Sequence, residues 1–339
     1  MIDPFMRVSP ASTLKLSHEA QYCATTPDQS RMAFAARDGR FSVAAGDLAL
    51  LYEGDLGVRL GAVALHPRED FLAIAARDEV LVTSQSGVRC FRFSHPEWHD
   101  YAGGAVAFVG NGSDLLAICP GKRGADVVLI HQDGNVLARS QIPITEEFDE
   151  CGYYFVAHPS GTTWGIWAGA GQDGQFTSWL SVERGRLSVR KANAFDLLDH
   201  GPIEFHPSGD ELLVQSNNGL ERHRFPNLKL LGRAEAPDDD FRFHPVVAYF
   251  GPGMAVVRDE FDDLLHLVDL RTMRFAGELI IAGHEARPIA EIHPSLKGER
   301  GRATDLYYFR GLQRGAILTV HRRPDTGHTI SLLRPRNER

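Results

Sequence analysis

The sequence predicts an all-β fold, a seven-bladed β-propeller whose blades are four-stranded antiparallel sheets. Three observations predict it: a repeat that recurs every 40–49 residues, short β runs within each repeat, and turns rich in Pro, Gly, Asp and Ser between those runs. Four short strands in a repeat of this length are typical of a propeller blade. The sequence shows no helical periodicity over a dozen residues, which argues against alternating strands and helices.

The repeat is clearest near the N-terminus. Ala35-Ala36-Arg37-Asp38 recurs as Ala75-Ala76-Arg77-Asp78, 40 positions later, and each copy follows a turn. The turn between the first two strands of the repeat recurs along the chain, and one anchor residue in each copy defines seven units. These anchors are Pro27, Pro67, Gly110, Pro159, Pro207, Pro252 and Pro294.

Each unit follows the same order of elements. An apolar first strand leads into the anchor turn, where Pro and Gly supply the fixed or positive φ that hairpins need. A second strand follows, such as Leu212-Leu213-Val214, and a polar turn leads to a third, such as Val127-Val128-Leu129-Ile130. Another turn precedes the fourth strand, for example Val136-Leu137-Ala138-Arg139.

These repeats resemble those of the WD40-like propeller superfamily, particularly bacterial versions. Gly283-His284 matches the Gly-His pair of that family, and Asp38 and Asp78 stand where it places a structural Asp in a tight turn. The terminal Trp-Asp pair is missing; a third strand ends instead in Leu267-Val268-Asp269. The resemblance implies that these residues support the blades and are not catalytic.

We expect one domain over residues 1–339, with seven blades in 12–335 and with 1–11 as a cloning remnant or a flexible arm outside the fold. An open propeller would expose two strand edges. The resemblance implies that an N-terminal strand completes the last blade. We predict that residues 12–17 pair beside residues 329–333.

Composition narrows the class of function. The chain has 339 residues, 43% apolar and 24% charged, with a formal net charge of −8. This negative charge disfavours binding to nucleic acid or to anionic membranes. No apolar run reaches the roughly 20 residues that span a bilayer, and no signal peptide is recognisable. The four cysteines are scattered, so we expect buried, reduced thiols and a cytoplasmic protein.

Local motifs predict no cofactor and no metal. The histidines of the His-Pro turns occupy one repeat position, and four of them could in principle converge on a metal ion. The simpler interpretation is that each imidazole hydrogen-bonds a local carbonyl and caps its own turn. These histidines are His66, His158, His206 and His293.

Charge patterning predicts one acidic face, formed by the links between blades and by the turns between second and third strands. The opposite face is predicted to be mixed to basic. We expect a protein partner, one that presents a basic surface, to bind the acidic face, helped by aromatic residues of one link. The candidate binding residues are Glu146, Glu147, Asp149, Glu150, Asp238, Asp239, Asp240, Trp98, His99 and Tyr101.

The sequence therefore favours a non-catalytic binding or scaffolding propeller that recognises its partner through loops on one face. The alternative is a propeller enzyme, such as a metal-dependent lactonase or hydrolase, with a site at the mouth of the channel. Convergence of three or more carboxylate, His or Asn groups there would favour the enzyme. Fold alone does not decide between them.

Overall fold

The structure is a computed structural model. It describes residues 5–84, 89–99, 102–143, 151–169, 175–191, 200–216, 219–237, 241, 243–251, 253–259, 264–288, 302–303, 306–312, 316–322 and 327–335. These residues form strands and turns, and none of them lies in a helix. The chain divides into two compact units, which we call the four-blade unit (His18–His200) and the three-blade unit (Met1–Ser17 with Gly201–Arg339).

The N-terminal segment contributes two strands, and the four-blade unit contains four sheets of four strands each. The N-terminal strands are β1 (Phe5–Val8) and β2 (Ser12–Lys15). Blade one contains β3 (Tyr22–Thr25), β4 (Arg31–Ala35), β5 (Arg40–Ala45) and β6 (Leu50–Asp55). Blade two contains β7 (Leu60–Leu65), β8 (Phe71–Ala76), β9 (Glu79–Ser84) and β10 (Arg89–Ser94). Blade three contains β11 (Val106–Val109), β12 (Asp114–Pro120), β13 (Ala125–His131) and β14 (Val136–Gln141). Blade four contains β15 (Gly152–Ala157), β16 (Thr163–Gly169), β17 (Gln175–Glu183) and β18 (Arg186–Lys191).

The three-blade unit contains the remaining blades. Blade five contains β19 (His200–Phe205), β20 (Glu211–Ser216), β21 (Gly219–Arg224) and β22 (Lys229–Glu235). Blade six contains β23 (Phe243–Phe250), β24 (Met254–Asp259), β25 (Leu265–Asp269) and β26 (Arg274–Ile281). A small ribbon pairs β27 (Arg287–Pro288) with β28 (Arg302–Ala303). Blade seven contains β29 (Leu306–Gly311), β30 (Ile317–Arg322) and β31 (His328–Leu333). The predicted all-β, seven-bladed propeller is confirmed.

The predicted N-terminal strand is also confirmed. β2 pairs antiparallel with β31, Ser12 opposite Leu332 and Lys15 opposite Thr329, and supplies the fourth strand of blade seven. Residues 5–8, which we expected to lie outside the fold, form β1 and pair in parallel with β26. Val8 of β1 is buried in the core of blades six and seven, which anchors this short strand although its neighbours are exposed.

The core lies between neighbouring blades, because a blade packed on both sides buries both faces of its middle strands. Leu116 and Ile118 of β12 pack toward blade four in a cluster that contains Trp164. The alternate residues Leu115 and Ala117 pack toward blade two. This alternation explains why second strands such as β12 read as continuous apolar runs.

Asp38 holds the tight turn between β4 and β5, as the family resemblance implies. Its carboxylate accepts hydrogen bonds from the backbone N–H and the guanidinium of Arg40. The Arg40 contact lowers the pKa of Asp38 below its usual value. The turn closes through a hydrogen bond from Gly39 to Ala36, and Gly39 tolerates its φ of 103° because it lacks a Cβ.

Candidate functional site

A pocket of about 220 Å³ lies at one end of the blades of the four-blade unit. We call this the link end, because the links between blades and the turns between second and third strands lie there. The pocket is lined where the first strands β3, β7 and β15 begin and just before β11 begins, with Tyr22, Gly61, Gly104 and Gly152 at these places. Contacts between neighbouring first strands, β3 with β7 and β7 with β11, bring these strand starts together.

Three arginines line this pocket. Arg37 and Arg77 are the equivalent residues of the Ala-Ala-Arg-Asp repeat, and Arg59 belongs to the link between blades one and two. The Arg37 carbonyl accepts a hydrogen bond from Leu60 N at 3.0 Å, and the Arg77 carbonyl accepts one from Trp98 N at 2.9 Å. The backbone of each turn is therefore tied to the following link, which directs both side chains to the pocket.

The pocket is cationic. In the part of the chain that the structure describes, no hydrogen bond or ion pair engages the guanidinium of Arg37 or Arg59, and both residues are exposed. Arg77 forms an ion pair with Glu97 at 2.6 Å. The described lining residues include no Asp or Glu. The pocket therefore brings three arginines to this part of the link end, whereas the acidic face stays a prediction because most of its residues lie outside the described ones.

Aromatic rings form one wall of the pocket. Tyr154 is 48% exposed, and its ring lies 4.9 Å from that of Trp167. Tyr153 is buried, with its ring 5.8 Å from that of Trp98. An exposed ring beside guanidinium groups can contact an apolar part of a ligand while the cations bind its charge.

Trp98 corrects one prediction. We expected it on the surface, but it is only 5% exposed and packs in the core between blades three and four. The hydrogen bond from its backbone N–H to Arg77 turns the link inward, so the indole reaches Tyr153. Its Nε1 atom has no hydrogen-bond partner among the described residues. A buried indole N–H without an acceptor is costly, and here it belongs to a residue that lines the pocket.

Gly104 allows the backbone to pack closely beside the pocket. A Cβ on Gly104 would lie 2.2 Å from the carbonyl oxygen of Ile118 and 3.1 Å from Trp98 Nε1. Gly103 and Gly152 form a parallel bridge between the link and β15. A side chain at Gly104 would therefore force the link away from blade three and alter the pocket.

The other predicted site residues have different outcomes. His99 is exposed and lines the pocket. The remaining candidates lie outside the described residues: Glu146, Glu147, Asp149, Glu150, Asp238, Asp239, Asp240 and Tyr101. Arg37, Arg59, Arg77 and Tyr154 were missed. Arg37 and Arg77 had a signal, because the same arginine recurs in two equivalent turns, whereas Arg59 and Tyr154 gain their position only from the fold.

Three histidines of the His-Pro turns lie in the described residues and cap their turns, although by a different bond from the one we predicted. His66 Nδ1 accepts hydrogen bonds from the backbone N–H groups of Arg68 and Glu69. The Nδ1 atoms of His158 and His206 accept from Ser160 N and Ser208 N. His293 lies outside the described residues. Within the described ranges, no three His, Cys, Asp or Glu residues lie close enough to hold a metal ion.

The four cysteines, all within the described residues, form no disulfide, and their burial differs. Cys119 and Cys151 are buried, as predicted, whereas Cys23 is half-buried and Cys90 is exposed. Burial raises the pKa of the Cys119 thiol to about 12. In the described part of the chain, no helix is both long enough and apolar enough to span a membrane.

Comparisons with known proteins identify the fold. No protein-family model matches the sequence, and no curated protein matches it. The structure is similar to Kuenenia stuttgartiensis hydrazine synthase, with a TM-score of 0.61 and 11% identity over 95% of this chain and 97% of that chain. It is also similar to the β-propeller domain of Cps50 (Swd1) from Myceliophteria thermophila, with a TM-score of 0.61 and 11% identity over 94% and 97%. These likenesses show the β-propeller fold. At this identity they show the fold alone, which agrees with the resemblance of the repeats to WD40-like propellers.

Proposed function

We propose that this chain is a binding or scaffolding propeller that recognises a partner protein by taking an acidic segment of it into the link-end pocket. The observation that carries this proposal is the set of three arginines at one pocket, two of which have no ionic partner among the described residues. A guanidinium group binds a carboxylate through two parallel hydrogen bonds, so unpaired arginines favour an acidic ligand.

The other features of the pocket support a peptide rather than a large cofactor. Its volume of about 220 Å³ is smaller than the ~300–1,000 Å³ of most small-molecule pockets and suits one or two side chains. Tyr154 offers an exposed ring for an apolar neighbour of the acidic residue. The acidic loops at 146–150 and 238–240 remain part of the proposal, as contacts for basic groups elsewhere on the partner. We also propose that the protein is cytoplasmic.

A pair of matched peptides tests the charge preference. We would measure fluorescence anisotropy with a labelled peptide that contains Glu-Phe-Glu and with its Gln-Phe-Gln match, at 50 and 300 mM salt. We expect at least tenfold tighter binding of the acidic peptide at low salt, because exposed charge pairs are screened by added ions. Equal binding of the two peptides would contradict the proposal.

Variants of the pocket arginines locate the site. The double variant Arg37→Gln/Arg59→Gln should abolish the preference for Glu, because it removes both unpaired cations. Arg186→Gln is the matched control, since Arg186 is exposed on blade four and does not line the pocket. Parallel affinity purification of the three proteins from native cells should recover one partner with the wild type and the control and lose it with the double variant. A partner retained by the double variant would place recognition elsewhere.

A further inference from the structure

A second cavity lies between blades two and three, at the end of the blades opposite the link end. Its volume is about 440 Å³. Phe71, Phe91 and Phe108 form apolar walls, with Val82 and Leu115 between them. His66 lines the inner part and is edge-on to both Phe71 and Phe108, with ring centroids 5.8 and 5.0 Å apart. The cavity has the size and the apolar lining of a small-molecule site.

Blade two carries Phe at a repeat position where blades one and five carry a charged residue. In four blades, the first residue of the turn donates its backbone N–H to the carbonyl of the residue five positions later. The four residues that accept this bond therefore occupy the same position of the repeat. They are Arg31, Phe71, Thr163 and Glu211. Arg31 reaches from blade one to the carbonyls of His66 and Glu69 in blade two. Phe71 cannot form such bonds, so the next interface remains apolar and open.

A β-bulge shapes the outer end of the cavity. Arg89 pairs with Thr83 and Phe91 with Val82, so Cys90 is the extra residue of β10. Side chains normally alternate along a strand, but a bulge redirects them. Here the Cys90 and Phe91 side chains both line the cavity. Burial raises the pKa of the Cys90 thiol, and the nearby Glu69 carboxylate raises it further.

The rim of the cavity is acidic. Glu69, Asp114 and Asp133 line it, and its described lining includes no Lys or Arg. Asp114 is paired with His131, and Asp133 accepts hydrogen bonds from Asn135. Glu69 is exposed, and among the described residues no hydrogen bond engages its carboxylate. Burial lowers the pKa of His66, so the inner end adds no positive charge near neutral pH.

We propose that this cavity binds a small organic cation with an apolar body and an ammonium head. The apolar body would lie among the phenylalanine rings, whose faces also attract a cation. The ammonium group would lie at the rim, where Glu69 and Asp133 supply negative charge. The cavity is separate from the arginine-lined pocket in both position and charge, so the proposal does not depend on the peptide-binding function.

Cys90 provides a direct measurement in the native protein. Iodoacetamide alkylation of each cysteine is followed by mass spectrometry with 2-phenylethylammonium present at increasing concentration. Phenylacetate and 2-phenylethanol serve as anionic and neutral probes of the same shape. We expect saturating 2-phenylethylammonium to slow alkylation of Cys90 at least threefold, with little effect of the other two probes. The buried Cys119 and Cys151 report any general unfolding.

Variants test the two parts of the cavity separately. Glu69→Gln/Asp133→Asn should raise the half-saturating concentration of 2-phenylethylammonium about tenfold. Because loss of the Glu69 charge also lowers the pKa of the Cys90 thiol, protection is measured against each variant's own alkylation rate without ligand. Glu183→Gln, an exposed carboxylate of blade four, should change nothing. Val82→Arg would fill the cavity and remove protection, and a thermal melt would confirm that this variant folds. Equal protection by phenylacetate, or no protection by any probe, would overturn the proposal.

Discussion

Two interfaces between blades solve the same packing problem with opposite chemistry. Between blades two and three, the equivalent positions are Phe71 and Val82, and a cavity remains. Between blades five and six, the same two repeat positions are occupied by Glu211 and Arg222. Arg222 donates two hydrogen bonds to Glu211, at 2.7 and 2.8 Å, and a third to the carbonyl of Leu270 at 2.9 Å. A repeat position can therefore close an interface through charge or leave it apolar without changing the blade.

The comparison predicts that side-chain volume added at the apolar interface lowers the free energy of unfolding. Gly112 has a φ of 100°, and a Cβ there would lie within van der Waals overlap of His66 Nε2 in the neighbouring blade. We expect Gly112→Ala to lower the free energy of unfolding by about 3 kcal/mol, from backbone strain and overpacking together.

Gly57→Ala is the matched control for this effect. Gly57 has a φ of 64°, and no atom beyond its chain neighbours lies within 4 Å of the place where a Cβ would be. It should cost about 1 kcal/mol, the backbone strain alone. Urea unfolding measures both variants, and equal losses would show that His66 yields easily.

The charged interface should be sensitive to the loss of one partner. Arg222→Ala leaves the Glu211 carboxylate and the Leu270 carbonyl without their donor, and both Arg222 and Glu211 are largely shielded from solvent. We expect a loss of about 2–3 kcal/mol in the free energy of unfolding.

Replacing both partners tests the comparison itself. The double variant Glu211→Phe/Arg222→Val introduces the pair of blade two into blade five. It should cost less than Arg222→Ala, because apolar groups leave no buried charge unpaired. A double variant less stable than the single variant would show that the two interfaces are not interchangeable.

The same comparison shows how far the sequence predicts the molecule. The seven repeats and the pairing of residues 12–17 with 329–333 followed from local patterns, because each blade has its own turns and strands. The two cavities did not. The arginine-lined pocket needs Arg37, Arg59 and Arg77 from separate turns and links, and the second cavity depends on a bulge at Cys90 that the spacing of apolar residues does not reveal.

Trp98 illustrates the same limit for a single side chain. Its link looks polar and exposed in the sequence, with His95 and His99 on either side. Its burial depends on one backbone hydrogen bond to Arg77 and on the presence of Tyr153 in the next blade but one. Neither contact is local in the sequence, so local patterns gave no indication of it.

The three-blade unit contains a carboxyl group, Glu204, that should make its stability depend on pH. Glu204 lies beside Gly311, where a Cβ would be 2.6 Å from the carboxylate, and burial raises the pKa of Glu204 to about 7 although Arg310 opposes the shift. The unfolded chain ionises near the ordinary value of about 4.5. Ionised Glu204 therefore lowers the free energy of unfolding most above pH 7. This destabilisation disappears as the pH falls toward 4.5.

Glu204→Gln measures this cost directly. It should raise the free energy of unfolding by about 2 kcal/mol at pH 8, less than the full pKa shift implies because Glu204 is partly exposed. At pH 4.5 the gain should be almost zero, because the carboxyl group is then largely protonated in both states. Urea unfolding across this range provides the measurement. A gain that is the same at both pH values would show that packing, not ionisation, explains it.

The smallest effect is expected where charge lies at the surface. Arg31 joins blades one and two through an ion pair with Asp70 and through hydrogen bonds of 2.8 Å to the carbonyls of His66 and Glu69. The Asp70 side chain is 65% exposed, so Asp70→Asn should cost less than about 0.5 kcal/mol, and added salt should remove even that. Arg31→Met should cost about 1–2 kcal/mol, because it leaves two carbonyls without their donor. Urea unfolding at 50 and 500 mM salt compares the two variants. A larger loss for Asp70→Asn than for Arg31→Met would mean that the ion pair, and not the carbonyl contacts, joins these blades.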